Sequence, residues 1–251
     1  MTDMKKQAIP FVLIVLFLIA PATGTPTDYN PNLMPRDSVH TRITWNVIEA
    51  PEVAFSLWFS GTGNWLAQEG SQMTFNITGI NSDVEGQLEL GNVTLTSNDT
   101  NIARDLTLGV WGLTPWLPGL VVKIGNINLE SLNQTAFAAA ERVAGNYLNG
   151  TMESSFEPVE SNGRLYDCIV FQYKQDPTGF GEPQMTTLAY DTETGVLVEA
   201  NTSYSFDIPY TLILGLEGIH IPGVDSILVW AGFAIAGVVL IVVAVVIRTR
   251  R

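Results

Sequence analysis

Leu129-Glu-Ser-Leu132-Asn-Gln-Thr-Ala136-Phe-Ala-Ala-Ala140-Glu-Arg-Val143-Ala144 is where the chain changes its hydrophobic period. Leu129, Leu132, Ala136, Ala140 and Val143 recur at steps of three and four, the spacing of one face of an alanine-rich amphipathic helix. Gly145-Asn146 supplies a stop signal just beyond it. On both sides the period falls to two, the spacing of half-buried strands. Strand-like runs precede the helix at about 40–48, 52–60, 71–79, 84–96 and 102–110. Others follow it at about 151–158, 163–174, 184–191, 196–206 and 210–216. Strands, one crossover carrying a helix, then strands again predict an α+β domain over 39–218, with a predominantly antiparallel sheet covering the helix. Between Glu85 and Thr96 the apolar parity switches at Gly91, which predicts a bulge or sharp bend. Asp191-Thr-Glu-Thr-Gly195 reads as a hairpin loop.

The crossover leading into the helix is unusual. Leu108 to Val122 contains no charge, yet Pro115 and Pro118 prevent it from being a long helix. Two readings suit the same residues. The stretch is a buried plug over the concave face of the sheet, or it is an apolar lid beside a cavity, with Trp111, Trp116, Leu117 and Leu120 as the ligand-touching side chains.

Both ends of the chain are apolar. Lys5 and Lys6 precede an uncharged run from Ile9 to Ala20, and small residues follow at Ala20, Ala22 and Gly24. That run is too short to cross a bilayer as a helix and has the layout of a secretory signal peptide over 1–24. A Pro- and Thr-rich extended segment follows over 25–38. At the other end, Ile227 to Ile247 gives 21 residues without a charge, about 32 Å as a helix and enough to span a membrane. Residues 219–226 form the linker before it, and Trp230 lies near its outer boundary. Arg248, Arg250 and Arg251 form a basic tail, residues 248–251, that resists translocation. The expectation is a single-pass type I protein of the plasma membrane with its ectodomain outside the cell.

The 251 residues include 25 acidic and 12 basic ones, for a net charge of −13. A chain this acidic lacks the basic surface that a phosphate backbone requires, so no nucleic-acid partner is expected. One cysteine excludes an intrachain disulfide and a zinc site built from several thiolates. His40 and His220 are the only histidines and stand far apart in sequence; no His-Glu-x-x-His pair, nucleophile elbow or phosphate-binding glycine loop occurs. Asn81-x-Asp83-x-Glu85-Gly86 begins like a calcium loop, but Asn92 stands where the closing glutamate is required. Cys168 lies within a strand pattern and reads as a core residue. No catalytic residue, metal ligand set or cofactor is therefore assigned.

Asn-x-Ser/Thr sequons occur at Asn76, Asn92, Asn98, Asn133, Asn149 and Asn201. Chance from this composition gives roughly two to three. Asn76 and Asn201 alternate onto the polar side of their strand patterns, where a glycan is tolerated.

Ile221-Pro222-Gly223, the apolar stretch and Arg248-Thr-Arg250-Arg251 together resemble the C-terminal sorting signals of archaeal cell-surface proteins. Val224 stands where the best-known version of that motif has Phe. The resemblance implies a type I surface glycoprotein, with Pro222 and Gly223 as the sorting-signal-like pair. Ala189-Tyr-Asp191-Thr-Glu-Thr-Gly195-Val-Leu197 is similar to a hairpin of LolA-like lipoprotein carriers. That likeness implies a half-barrel whose curved sheet wraps helices around an apolar cavity.

Three functional readings follow. The first is a membrane-anchored surface glycoprotein with a non-catalytic ectodomain that binds or coats, its partners the lipid bilayer and another surface protein. The second is a carrier of a lipid or other apolar ligand, with the Trp111–Val122 stretch as lid. The third is a metal-assisted surface hydrolase built from scattered carboxylates.

Overall fold

The computed structural model describes residues 28–35, 40–57, 63–112, 114–177, 181–206 and 208–221. Eleven strands are formed: β1 (Thr41–Glu49), β2 (Phe55–Leu57), β3 (Gly63–Trp65), β4 (Gln72–Ile80), β5 (Val84–Leu90), β6 (Val93–Asn98), β7 (Gly150–Ser161), β8 (Arg164–Gln175), β9 (Met185–Asp191), β10 (Leu197–Phe206) and β11 (Ile208–His220). Nine of them make one sheet in the order β6-β5-β4-β1-β11-β10-β9-β8-β7, and β2 pairs with β3 separately. Every pairing is antiparallel. The first and last strands, β1 and β11, lie side by side near the middle of the sheet.

Alternation along the strands puts one apolar face on this sheet. A row of directly opposed side chains runs Leu95–Leu88–Phe75–Ile43 across β6, β5, β4 and β1. A second runs Phe171–Leu188–Ala200–Leu214–Val47 across β8, β9, β10, β11 and β1. All nine of these residues are buried, and such cross-strand neighbours are the unit of sheet stabilisation. The segment from Asp99 to Val122 and the helix after it cover this face.

Three expectations need correction. The sheet is open, with β6 and β7 as separate edges, so it is not curled into a barrel or half-barrel as the carrier-like hairpin implied. The crossover carries more than one helix. Asp99–Asp105 forms α1, Thr107–Trp111 a π-helical turn and Asn126–Arg142 the long helix α2. The strand expected over 102–110 is thus helical, because Asn98 caps it by accepting the Asn101 N–H at 2.9 Å and Ile102, Ala103, Leu106 and Val110 share the buried side. Finally, no helix among the described residues is long and apolar enough to cross a membrane. The Ile227–Ile247 stretch lies outside the described residues, as do residues 1–24, where a signal peptide is expected.

The parity switch at Gly91 is a complete reversal. Leu90 pairs with Val93 across a two-residue turn, and Gly91 at φ +60° occupies its first central position, the geometry of a type II′ hairpin. At the opposite edge, β7 and β8 form a hairpin of two 12-residue strands. Its turn uses Asn162 at φ +50° and Gly163 at φ +72°. The tip folds back over the outer face, where Ser161 Oγ donates to the Leu216 carbonyl at 2.9 Å and Asn162 Nδ2 to that of Glu217 at 3.1 Å. Cys168, Val170 and Ala189, which point to that outer face, are buried there.

Candidate functional site

The clearest concentration of polar groups is an open cleft of about 230 Å³ at the end of the sheet where β4 turns into β5 and α1 begins. Asp83 and Asp99 line it with Tyr29, Thr100 and Lys123. Asp83 stands in the β4–β5 turn and accepts the backbone N–H of Val84 at 2.8 Å and of Thr100 at 3.2 Å, so it ties the turn to the start of α1. Asp99 is the first residue of that helix and is buried. Its Oδ1 accepts the Leu120 N–H and its Oδ2 the Val121 N–H, both at 2.9 Å. Burial pushes the Asp99 carboxyl up from its ordinary value to about 7; the two backbone bonds oppose the shift and the neighbouring Asp83 charge adds to it.

The loop that Asp99 grips continues as an extension of the β9–β10 hairpin. The Leu197 N–H donates to the Leu120 carbonyl at 3.0 Å, and the Val122 N–H to that of Gly195 at 2.8 Å. Gly195 has φ +77°, and a Cβ there would overlap the Val122 carbonyl oxygen. Tyr190 Oη donates to the Gly119 carbonyl at 2.9 Å. The leading segment closes the same end: the Ile124 N–H donates to the Asp28 carbonyl at 2.8 Å, Lys123 Nζ pairs with Asp28 Oδ2 at 2.9 Å, and Asn30 Nδ2 reaches the Glu193 carbonyl at 2.9 Å. With its carboxylate oxygens engaged by backbone amides, Asp99 acts as a clasp that joins the start of α1 to the crossover loop. No group of three or more His, Cys, Asp or Glu side chains that could hold a metal occurs among the described residues.

The residues suggested as a lid divide between core and surface. Trp111 and Leu120 are fully buried, Trp116 nearly so, and only Leu117 is exposed. Trp116 packs on Phe171 of β8 at 4.6 Å between ring centroids, and Trp111 Nε1 donates to the Ala103 carbonyl at 2.9 Å. Around the π-helical turn the sheet supplies a ladder of hydroxyls. Tyr204 Oη donates to the Leu108 carbonyl at 2.9 Å, Tyr210 Oη to Gly109 at 3.0 Å, Thr202 Oγ1 to Val110 at 2.6 Å and Thr186 Oγ1 to Trp111 at 3.3 Å. Gln184 Nε2 also reaches the Trp111 carbonyl, at 3.2 Å. Four consecutive carbonyls at the end of a helical segment are thereby satisfied by side chains of β9, β10, β11 and the loop before β9.

None of the six sequon asparagines is buried. Asn76 and Asn201 lie within β4 and β10, Asn92 in the β5–β6 turn, Asn98 at the end of β6, Asn133 on α2, and Asn149 just before β7. Asn76 Nδ2 donates to Glu89 Oε1 at 3.0 Å, Asn133 Oδ1 accepts from Ser154 Oγ at 2.7 Å, and Asn149 Nδ2 is bonded to Asp176. Cys168 is buried, its thiol pushed up to about 12 by desolvation and by the carboxylates of Asp191, Asp167 and Glu199. His40 and His220 are both exposed. Pro222, Gly223, Trp230, Arg248, Arg250 and Arg251 lie outside the described residues.

Sequence reasoning passed over Asp99 and the hydroxyl ladder, and met Asp83 only in the calcium-loop pattern that it set aside. The Asn98-Asp99 pair ahead of Ile102, Ala103 and Leu106 is a helix-start signal for Asp99. Thr186 and Thr202 sit on the apolar parity of their strands, where a hydroxyl needs a partner. Comparison with known proteins finds no family model that matches the chain, and no curated protein or solved structure that matches it.

Proposed function

We propose that the chain is a cell-surface glycoprotein, exported by its N-terminal leader and held at the plasma membrane by its apolar C-terminal stretch, with an ectodomain that works by binding or coating rather than by catalysis. The observation that carries this reading is the exposure of the sequons. All six acceptor asparagines are at least partly exposed, and the hydroxyl residue two positions on is exposed in five of the six. Glycan attachment needs that access and a bulky sugar needs an outward direction. The surface role is favoured over internal carriage of an apolar ligand because Trp45, Trp111, Trp116 and Phe171 fill the space between sheet and crossover. The partners in this reading are the lipid bilayer and another surface protein.

The test is to express the full chain in a host that N-glycosylates exported proteins, treat intact cells with protease, and measure the ectodomain mass before and after enzymatic deglycosylation. Shaving of the ectodomain from intact cells and a fall in mass support the reading. An ectodomain resistant to protease until the cells are lysed removes the surface assignment, and an unchanged mass removes the glycoprotein one.

A further inference from the structure

Among the described residues the nine-stranded sheet ends in two strands with no hydrogen-bonded outer neighbour, and they are protected very differently. β7 is charged and interrupted: Glu153, Glu157 and Glu160 lie along it with Pro158, which has no N–H to offer a new neighbour. β6, Val93-Thr-Leu-Thr-Ser-Asn98, has no charge and no proline. It is rich in residues that favour strands, and it pairs only with β5 among the described residues. An uncharged edge of this kind is a template for another strand. What it has instead of charges is a sequon at each end, Asn92 in the turn before it and Asn98 as its last residue.

We propose that β6 is a self-association edge of this protein, and that N-linked sugars on Asn92 and Asn98 hold it closed. The occupant is a second copy of the chain. Two β6 strands meeting antiparallel about Leu95 set Asn92 of one copy opposite Asn98 of the other, so each end of the joint brings two acceptor sites together. Nothing along the strand itself opposes the pairing, since no charge faces a like charge. The same arrangement at β7 would bring the glutamates of one copy against those of the other. With sugars attached, both ends of the β6 joint are obstructed and the protein stays monomeric. Without them, two sheets join into one.

This inference rests on the glycoprotein reading, and the experiment separates the two. The full chain is produced in an N-glycosylating host as wild type and as the double variant Asn92→Gln with Thr100→Ala. The second change removes the Asn98 sequon without touching Asn98 itself, whose side chain caps α1. Site occupancy is read by peptide mass spectrometry, and oligomeric state by analytical ultracentrifugation in detergent. The expected result is a monomeric wild type with sugars at both sites and a dimeric double variant in which amides of 93–98 gain hydrogen-exchange protection. Adding Thr94→Lys, at an exposed position on the edge strand, is expected to return the double variant to monomer. A double variant that stays monomeric, or a dimer indifferent to the added lysine, overturns the proposal. So does a wild type that carries no sugar at Asn92 and Asn98. In that case occupancy at the other four sequons decides whether the glycoprotein reading falls with it.

Discussion

Asp99 and Gly119 stand so close that a side chain on the glycine would occupy the carboxylate's place: a Cβ built at Gly119 overlaps Asp99 Oδ2. The absence of a side chain is what lets the buried carboxylate approach the Leu120 and Val121 amides of the crossover loop. Gly119→Ala is expected to lower stability by about 1–3 kcal/mol, the usual scale for overfilling a packed site. Gly218→Ala in β11, where a Cβ meets nothing within 4 Å, is the control and should stay within about 0.5 kcal/mol. Urea midpoints of the two variants decide the matter; equal midpoints would mean that the loop can shift away from Asp99 at no cost.

The same carboxylate gives stability a pH dependence of defined sign. Asp99 titrates at about 7 in the folded protein against an ordinary value of 3.8. Between those values the folded state holds a proton that the unfolded chain has lost, so this group's contribution falls as pH rises through that window and is constant above it. Half-buried Glu199, raised by desolvation, adds a slope of the same sign. Exposed Asp28, lowered by Lys123, opposes it only weakly in solvent. The stability difference between wild type and Asp99→Asn, followed from pH 4 to pH 8, is therefore expected to shift against the wild type as pH rises towards 7 and to level off beyond it. A difference that is constant, or that moves the other way, contradicts the assignment.

The hydroxyl ladder makes a graded prediction. Thr202→Val keeps the shape of the side chain but leaves the buried Val110 carbonyl without its 2.6 Å donor, a loss of about 1–3 kcal/mol. Tyr204→Phe removes a bond at a partly exposed position and should cost less, on the order of 0.5–1 kcal/mol. Thermal unfolding of both variants measures the order. A Tyr204 variant worse than the Thr202 variant would show that burial does not set the value of these bonds.

Trp116 and Leu117 are adjacent in sequence and opposite in role. Trp116→Ala should cost about 3–5 kcal/mol, because it opens a void against Phe171. Leu117→Ser, at an exposed position, should stay within about 0.5 kcal/mol of wild type. Denaturant titration gives both values. If the Trp116 variant were nearly neutral for stability and bound an apolar fluorophore less well, the stretch would be a lid after all.

Much of the strand pattern was legible in the sequence because alternation is a local signal. The periods around Thr41–Glu49, Gln72–Ile80 and Leu197–Phe206 carry it, and Gly195 marks its hairpin by conformation alone. What the alternation could not say is which strands are neighbours. The pairing of β1 with β11 joins Arg42 to His220 across 178 positions of sequence, and no residue within either strand encodes its partner. The helical turn over 102–110 was lost for a different reason. Ile102, Leu106 and Val110 fit a helix face, but glycine and β-branched residues nearby also suit a short strand, and only the cap at Asn98 separates the two. The Asp99 clasp depends on meeting Leu120 and Val121 some twenty residues later, a distance over which single-sequence patterns carry no register.

The central position of β11 has a mechanical consequence. The strand that leads towards the C-terminal end of the chain is hydrogen-bonded to β10 over 208–215 and to β1 over 213–220, so it is anchored inside the sheet and not at a rim. A pull on that end along the strand loads the β1 ladder first and the β10 ladder behind it, both in shear, so many bonds must yield together instead of peeling one after another. A protein tethered by its tail and dragged by flow or by a neighbour would transmit the force into the middle of its own fabric.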